Sequence, residues 1–97
     1  MQARIVTSQL RYGKTDEAVE IWKEKVIPIL RQTPGFKGAH LYVDREMGRA
    51  YSISIWESVE TMMATEKSGQ YKQTLGLFAQ MFTGEPLIEH LEVAAMF

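Results

Sequence analysis

The chain contains no cysteine, which excludes disulfide bonds, thiol catalysis and cysteine-ligated zinc or iron–sulfur centres. It also lacks a basic run, and its 11 Lys and Arg residues are balanced by 12 Asp and Glu residues. Because nucleic-acid binding depends on clustered positive charge, we expect no nucleic-acid partner. No apolar run approaches the roughly 20 residues that cross a bilayer, and no basic segment precedes an apolar one at the N-terminus. We therefore expect a cytoplasmic protein with no membrane partner.

The composition is that of an ordinary globular domain. Hydrophobic residues make up 45% of the 97 residues and charged residues 24%, unlike the low hydrophobicity and high charge of disordered chains. This length predicts a single domain over residues 1–97. One core of this size leaves little room for a large cavity, which favours a second subunit for any sizeable pocket.

Hydrophobic periodicity and turn residues predict four strands and two helical regions. Thr15 is predicted to cap the first helix and Ser58 the second, whereas Pro28 should loosen the first helix because it has no amide hydrogen. Ser68 and Gly69 should interrupt the second region. The predicted strands cover residues 3–10, 36–44, 50–56 and 88–97, and the predicted helical segments run from Thr15 to residue 31 or 32, from Ser58 to Ser68, and over residues 70–82.

The order β-α-β-β-α-β predicts an α+β, ferredoxin-like fold in which both helical regions cover one face of a four-stranded antiparallel sheet. The other face would then carry an apolar row that includes Ile53, Ile55, Leu91 and Val93. A soluble monomer seldom exposes so large an apolar patch. We therefore expect a homodimer formed through this sheet face.

Several segments resemble the antibiotic biosynthesis monooxygenase family, and the likeness spans nearly the whole chain. The similar segments are residues 30–38 with their Pro-Gly-Phe, residues 54–61 with Trp56 before the Ser58 cap, residues 68–71, residues 84–87 and residues 89–93. The resemblance implies a dimeric α+β barrel of two ferredoxin-like subunits, each with a pocket between its sheet and its helices. It also implies, for some members, oxygenation without flavin or metal, in which a phenolic substrate itself reduces dioxygen.

The resemblance implies further site residues, and this sequence departs from some of them. Relatives frame the substrate with an asparagine on the first strand, a tryptophan, and a histidine or tyrosine near the second helix. This chain has no asparagine. Thr7 or Ser8 stands at the strand position, Thr65 near the tryptophan position, and Leu75 near the position of the haem-ligating histidine. A haem-degrading activity is therefore the least favoured of the activities that the family implies.

The candidate site residues come partly from residue chemistry. His40 and His90 are the side chains that ordinarily titrate near neutrality, and His40 is the candidate general base. Glu89 and Glu92 point to opposite faces of one strand, so no metal site is predicted. Arg4 and Arg11 are interpreted as solvated surface charges, with anion binding as the alternative. The predicted substrate-binding residues are Thr7, Ser8, Trp56, Met62 and Tyr71.

Two functions from different classes remain open. The first is a cofactor-independent monooxygenase acting on a small aromatic or polycyclic phenol. The second is a non-catalytic dimeric protein that binds a small apolar or aromatic molecule in the same pocket. The missing asparagine and the lack of a clustered acid–base pair favour the second function.

Overall fold

A computed structural model describes all residues of the chain, 1–97. The strands are β1 (Gln2–Gln9), β2 (Phe36–Asp44), β3 (Arg49–Trp56) and β4 (Leu87–Glu92). The first helical region consists of α1 (Thr15–Ile21), a π-helical turn (Trp22–Val26) and α2 (Ile27–Arg31), and the second consists of α3 (Val59–Lys67) and α4 (Gln70–Gly76). None of these helices has the length and apolar composition needed to cross a membrane.

The four strands form one antiparallel sheet in the order β2-β3-β1-β4. This order confirms the predicted ferredoxin-like α+β fold, because β1 and β3 lie in the centre while β4 and β2 lie at the edges. In the register, Arg4 lies opposite Ser54 on β3 and opposite His90 on β4. These three side chains therefore share one face of the sheet.

The predicted loosening near Pro28 is confirmed as a wider π-helical turn immediately before α2. Pro28 stands in the first turn of α2 and cannot donate an amide to the carbonyl four residues earlier. The chain accommodates this loss by winding residues Trp22–Val26 as a π-helix. Trp22 and Val26 both face the sheet and line the cavity described below. The π-helical turn therefore forms part of the cavity wall.

Three local predictions differ from the structure. Thr15 does not cap α1, since Lys14 occupies the cap position and no side-chain oxygen accepts an amide there. The predicted helix over residues 70–82 ends at Gly76, and a series of turns follows in which each amide donates to the carbonyl three residues earlier. This segment is drawn to the end of β1, where the Arg11 amide donates to the Met81 carbonyl at 2.7 Å. The last strand ends at Glu92, which lies opposite Gln2 at the start of β1, and one further hydrogen bond joins the Val93 amide to the Met1 carbonyl at 3.0 Å.

The Ser58 cap is confirmed. The Ser58 hydroxyl accepts the Thr61 amide at 3.1 Å, while the Thr61 hydroxyl accepts the Ser58 amide at 3.2 Å. This reciprocal pair is a capping box that fixes where α3 leaves β3.

The helices cover one face of the sheet, and two buried clusters lie between the layers. One contains Leu10, Ala18, Ala50 and Met81, and the other contains Val26, Leu30, Trp56 and Met62. The opposite face, called the outer face below, carries Ile5, Ile53, Ile55 and Leu91. Leu91 is 47% exposed, so the outer face is apolar and open in the single chain.

Candidate functional site

A cavity of about 80 Å³ lies between the sheet and the helices, among the two core clusters. Most of its wall is apolar, supplied by side chains such as Val6, Leu41 and Phe78. Strand alternation places the even-numbered residues of β1 and β3 in its floor. No aspartate, glutamate or histidine side chain lines it. Its polar lining consists of Arg4, Tyr71, Thr74 and three serines, Ser8, Ser52 and Ser54.

Arg4 is the one charged residue of the cavity wall, and it is 4% exposed. Its Nη1 donates to the Thr65 hydroxyl at 2.7 Å, to Glu66 Oε2 at 3.2 Å and to the Met62 carbonyl at 3.5 Å. Its Nε and Nη2 atoms donate no hydrogen bond within the protein. Burial lowers the pKa of Arg4, and the hydrogen bond and charge of Glu66 oppose that effect. The guanidinium is therefore held from one side and left free along the other edge.

Glu66 connects this buried charge to the surface. The same Oε2 atom that accepts from Arg4 lies 2.7 Å from His90 Nε2. His90 reaches Glu66 because it lies opposite Arg4 in the β1–β4 register, on the helix-covered face of the sheet. Glu66 is 21% exposed, so its carboxylate stands between a buried cation and a solvent-accessible imidazole.

Tyr71 covers the guanidinium at the start of α4. Its ring centroid lies 4.4 Å from Arg4 Cζ, within cation–π range. Its hydroxyl is buried and has no hydrogen-bond partner. Burial raises the pKa of Tyr71 to about 12, although the Arg4 charge acts in the opposite direction. At neutral pH the hydroxyl is therefore protonated and can donate to a ligand oxygen.

The π-helical turn closes the cavity from the other side. Trp22 Nε1 donates to Ser52 Oγ at 3.0 Å, which ties the helix to β3 across the cavity. Phe78 and Phe82 are stacked with centroids 5.9 Å apart and complete the apolar wall. The wall of the cavity is thus mostly apolar, and Arg4 is its charged group while Tyr71 supplies its one buried hydroxyl without a partner.

The structure brings together two of the predicted substrate-binding residues, Ser8 and Tyr71, in the cavity wall. Trp56 and Met62 lie beside the cavity but are 0% and 2% exposed, as parts of the core. Trp56 Nε1 donates to Ser54 Oγ at 2.8 Å, and its ring lies 5.4 Å from Arg4 Cζ. These two residues therefore support the Arg4 side of the site from behind.

Thr7 and His40 do not reach the cavity. Thr7 pairs with Tyr51 and His40 pairs with Ile53. Each of these partners on β3 is next in the chain to a residue that lines the cavity, and so points to the opposite face of the sheet. Both side chains therefore lie on the outer face. His40 is exposed and stacks on Tyr42, with ring centroids 5.9 Å apart. Placing His40 as the base of this cavity is thus incompatible with the fold of one protomer.

Sequence reasoning missed Glu66, and it offered anion binding by Arg4 only as an alternative. The interpretation of Arg4 as a solvated charge is wrong, because Arg4 is buried on a central strand. A signal existed, since Arg4 shares strand parity with Val6 and Ser8. That signal could be used only once the helix-covered face of β1 was known. No group of three His, Asp or Glu side chains is placed to hold a metal ion.

With this arrangement established, the comparison with known proteins identifies the family. The family model for antibiotic biosynthesis monooxygenase matches residues 1–76. The chain belongs to this family. The matched region contains Arg4, Glu66 and Tyr71, whereas β4 with His90 lies beyond it.

Known relatives and solved structures are similar to the chain to different degrees. The uncharacterized Mycobacterium tuberculosis proteins Rv2557 and Rv2558 are 35% and 30% identical to it, over 94 and 95 residues. Each match covers 97% of this chain but only 41% and 39% of the relative, so the chain spans about two fifths of their length.

Two solved structures share the fold at low sequence identity. The monooxygenase from the gene ActVA-Orf6 of Streptomyces coelicolor, solved in complex with Nanaomycin D, has a TM-score of 0.76 at 19% identity, covering 99% of this chain and 90% of that chain. Rv0793 from Mycobacterium tuberculosis has a TM-score of 0.76 at 15% identity, covering 98% and 96%. At these identities the likeness establishes the fold.

Proposed function

We propose that the chain is a cofactor-independent monooxygenase that oxidises a small phenolic substrate in the cavity between sheet and helices. The observation that carries this proposal is the unpartnered Tyr71 hydroxyl beside the buried Arg4 guanidinium, in an otherwise apolar cavity. An apolar pocket with a few convergent polar groups is the usual form of a small-molecule site. Family membership and the ligand-bound structural neighbour support the same assignment.

The proposed reaction needs only the phenol and dioxygen. The phenolate transfers electrons to dioxygen, and one oxygen atom bonds to a ring carbon while the O–O bond breaks. That carbon becomes a carbonyl, the phenolic oxygen becomes the second carbonyl, and the other oxygen atom leaves as water with the two displaced hydrogens. Phenol plus dioxygen therefore gives quinone plus water, with atoms and electrons balanced.

Arg4 and Tyr71 have distinct roles in this reaction. The positive charge of Arg4 favours the phenolate over the phenol and stabilises negative charge that develops on oxygen. The Tyr71 hydroxyl, protonated at neutral pH, donates a hydrogen bond to substrate or dioxygen-derived oxygen. Because no carboxylate or imidazole lines the cavity, the phenolic proton passes to water and not to a protein base.

The test is dioxygen uptake with a panel of phenols that includes single-ring compounds and anthrone-like tricyclic ones, without added flavin or metal. We expect one dioxygen consumed per quinone formed. Losing a hydrogen bond to a charged group costs about 1.5–3 kcal/mol, so Tyr71→Phe should lower kcat/KM about tenfold to a hundredfold. Tyr12→Phe, at a fully exposed loop position, is the matched control and should leave uptake unchanged. Uptake equal in Tyr71→Phe and wild type would contradict the proposed role of the hydroxyl.

The second candidate is a protein that binds a small ligand without turning it over. The absence of any carboxylate or imidazole from the cavity wall favours it. The two candidates separate cleanly, since this one predicts saturable binding of a phenol with no dioxygen uptake. A haem-degrading activity is disfavoured because Leu75 lines the cavity near the position that family resemblance gives to the haem-ligating histidine.

The proposed assembly is a homodimer in which a second copy covers the outer face. Tyr42, Leu87 and Leu91 are 56%, 61% and 47% exposed there, and neighbouring Ile53 and Ile55 extend the patch along β3. Burying such a surface removes apolar area from water at about 25 cal/mol per Å². A self-complementary sheet face suits a two-fold axis.

A further inference from the structure

The hydrogen bonds of Arg4 are all made by one of its two terminal nitrogens. Nη1 is shared among Thr65, Glu66 and the Met62 carbonyl, while the Nε–Nη2 edge has no protein partner. Arg4 lines the cavity, and the only fully buried side-chain polar atom without a partner is the Tyr71 hydroxyl. Neither Nε nor Nη2 of Arg4 is a fully buried atom, so the free edge of this cavity-lining side chain stays open to a ligand and presents two parallel N–H donors.

Two parallel donors select a particular acceptor. The guanidinium fork matches two oxygen atoms held side by side, and such bidentate pairs are stronger and more directional than single hydrogen bonds. A ligand with one oxygen would leave the second donor unpaired in an apolar wall, which costs free energy. The geometry of Arg4 thus favours a pair of adjacent oxygens over a lone hydroxyl.

The charge of the site also favours an anion. Glu66 shares its Oε2 between Arg4 and His90, so its negative charge is divided between two cationic or hydrogen-bonding partners. No other carboxylate approaches Arg4 from β1, β3, β4, α3 or α4. An anionic ligand at the free edge would give a second charge-assisted hydrogen-bond partner to a guanidinium that burial has removed from water.

The size of the cavity limits what carries those oxygens. At about 80 Å³ it is roughly half the volume of an apolar protein cavity of about 150 Å³ that binds benzene. It therefore has room for no more than one aromatic ring, because Trp22 is tied to Ser52 and the Phe78–Phe82 stack belongs to the same wall. A fused second or third ring would require these contacts to open.

We infer that the ligand of this cavity is a single aromatic ring whose anionic group presents two adjacent oxygen atoms, a carboxylate or an ortho-diol that has lost one proton, to the Nε–Nη2 edge of Arg4. That this ligand is a substrate rests on the proposed function, whereas its binding does not. The ring lies among the apolar side chains, and the Tyr71 hydroxyl donates to whichever ligand oxygen comes within its reach.

The test measures binding of matched probes by calorimetry at neutral pH. Benzoate is compared with benzamide, which lacks both the second oxygen and the negative charge, and catechol is compared with its isomer resorcinol, in which the two oxygens are not adjacent. We expect at least one two-oxygen probe to bind at least tenfold more tightly than its partner, and the pair that shows the preference distinguishes carboxylate from diol. We expect 2-naphthoate to bind at least tenfold more weakly than benzoate if the carboxylate is preferred. No preference within either pair would overturn the inference, and equal or tighter binding of 2-naphthoate would overturn its single-ring part.

Variants assign any preference to Arg4. Arg4→Lys keeps a positive charge but loses the fork, and should abolish the preference, whereas Arg31→Met on the exposed end of α2 should retain it. A preference that survives Arg4→Lys would overturn the assignment. If Arg4→Lys fails to fold, the Arg4 Nε–H signal in the NMR spectrum of wild type replaces it, since this signal should shift with the preferred probe and not with its partner. An unmoved signal under saturating probe would also overturn the assignment. Selective binding without dioxygen uptake would instead reject only the proposed oxygenase function.

Discussion

The Arg4–Glu66 pair should respond very differently to removal of its two members. Arg4 is 4% exposed, whereas Glu66 is 21% exposed and also contacts His90. Glu66→Ala leaves the guanidinium buried without a counter-charge. Arg4→Met leaves a carboxylate that water and His90 still solvate, and the methionine refills the space between Trp56 and Tyr71.

The magnitudes follow from burial. Two unit charges about 4 Å apart attract by about 4 kcal/mol at the effective dielectric constant of a protein surface, and removing one partner of a fully buried pair costs about 3–5 kcal/mol. Because Glu66 is partly exposed, we expect Glu66→Ala to cost about 2–4 kcal/mol in the free energy of unfolding. We expect about 1 kcal/mol for Arg4→Met, since the Thr65 hydroxyl keeps its own bond to the Met62 carbonyl at 2.8 Å.

The assay is urea unfolding at one fixed protein concentration, with the double variant Arg4→Met/Glu66→Ala completing a thermodynamic cycle. In a domain of this size 1 kcal/mol corresponds to about 4–8 °C in Tm, so thermal melts give an independent reading. The double variant should be more stable than Glu66→Ala alone, because it no longer buries an unpaired charge. If Arg4→Met proved as destabilising as Glu66→Ala, the argument from unequal burial would be wrong.

Four other predictions follow from single features. Tyrosinate absorbance should show a step near pH 12 that is missing in Tyr71→Phe. Burial raises the pKa of folded Tyr71 above its ordinary value of 10, so the neutral side chain stabilises the fold fully below pH 10. This contribution to stability is lost as the pH rises toward 12. Sedimentation of wild type should give twice the 11.1 kDa chain mass, and Ile53→Glu on the outer face should give the monomer. Gly35→Ala should cost more than about 2 kcal/mol in denaturant unfolding, because its φ is +85° and the added methyl would meet the Thr61 side chain. Ser58→Ala should cost about 1 kcal/mol in the same assay by removing the cap of α3.

Each of these has a clear contrary result. If the absorbance lost in Tyr71→Phe lay near pH 10 and not near pH 12, the Tyr71 hydroxyl would be in solvent and its burial would be refuted. A folded wild-type species of 11.1 kDa at micromolar concentration would reject the covering of the outer face. Wild-type stability of Gly35→Ala would show that the Thr61 side chain can move away from the added methyl group. Wild-type stability of Ser58→Ala would show that the cap does not stabilise α3.

Local rules predicted most of the fold because they act over a few residues. Alternation in β2 and β3, the Ser58 cap and the ring of Pro28 each depend on neighbours within about four positions, and the structure confirms them. The segment after Gly76 was not predictable in this way. Its turns are set by hydrogen bonds to the distant end of β1, including the Thr83 amide donating to the Gln9 carbonyl at 3.0 Å.

The amino-acid sequence by itself determined the order of strands and helices and the fact that each strand has two chemically different faces. Only the tertiary structure decided which face the helices cover, because Val6 and Ile5 are equally suited to burial and a period of two residues is symmetrical between them. That decision places Arg4 inside and His40 outside. It also brings Glu66 and Tyr71, more than 60 positions away in the chain, against the same guanidinium.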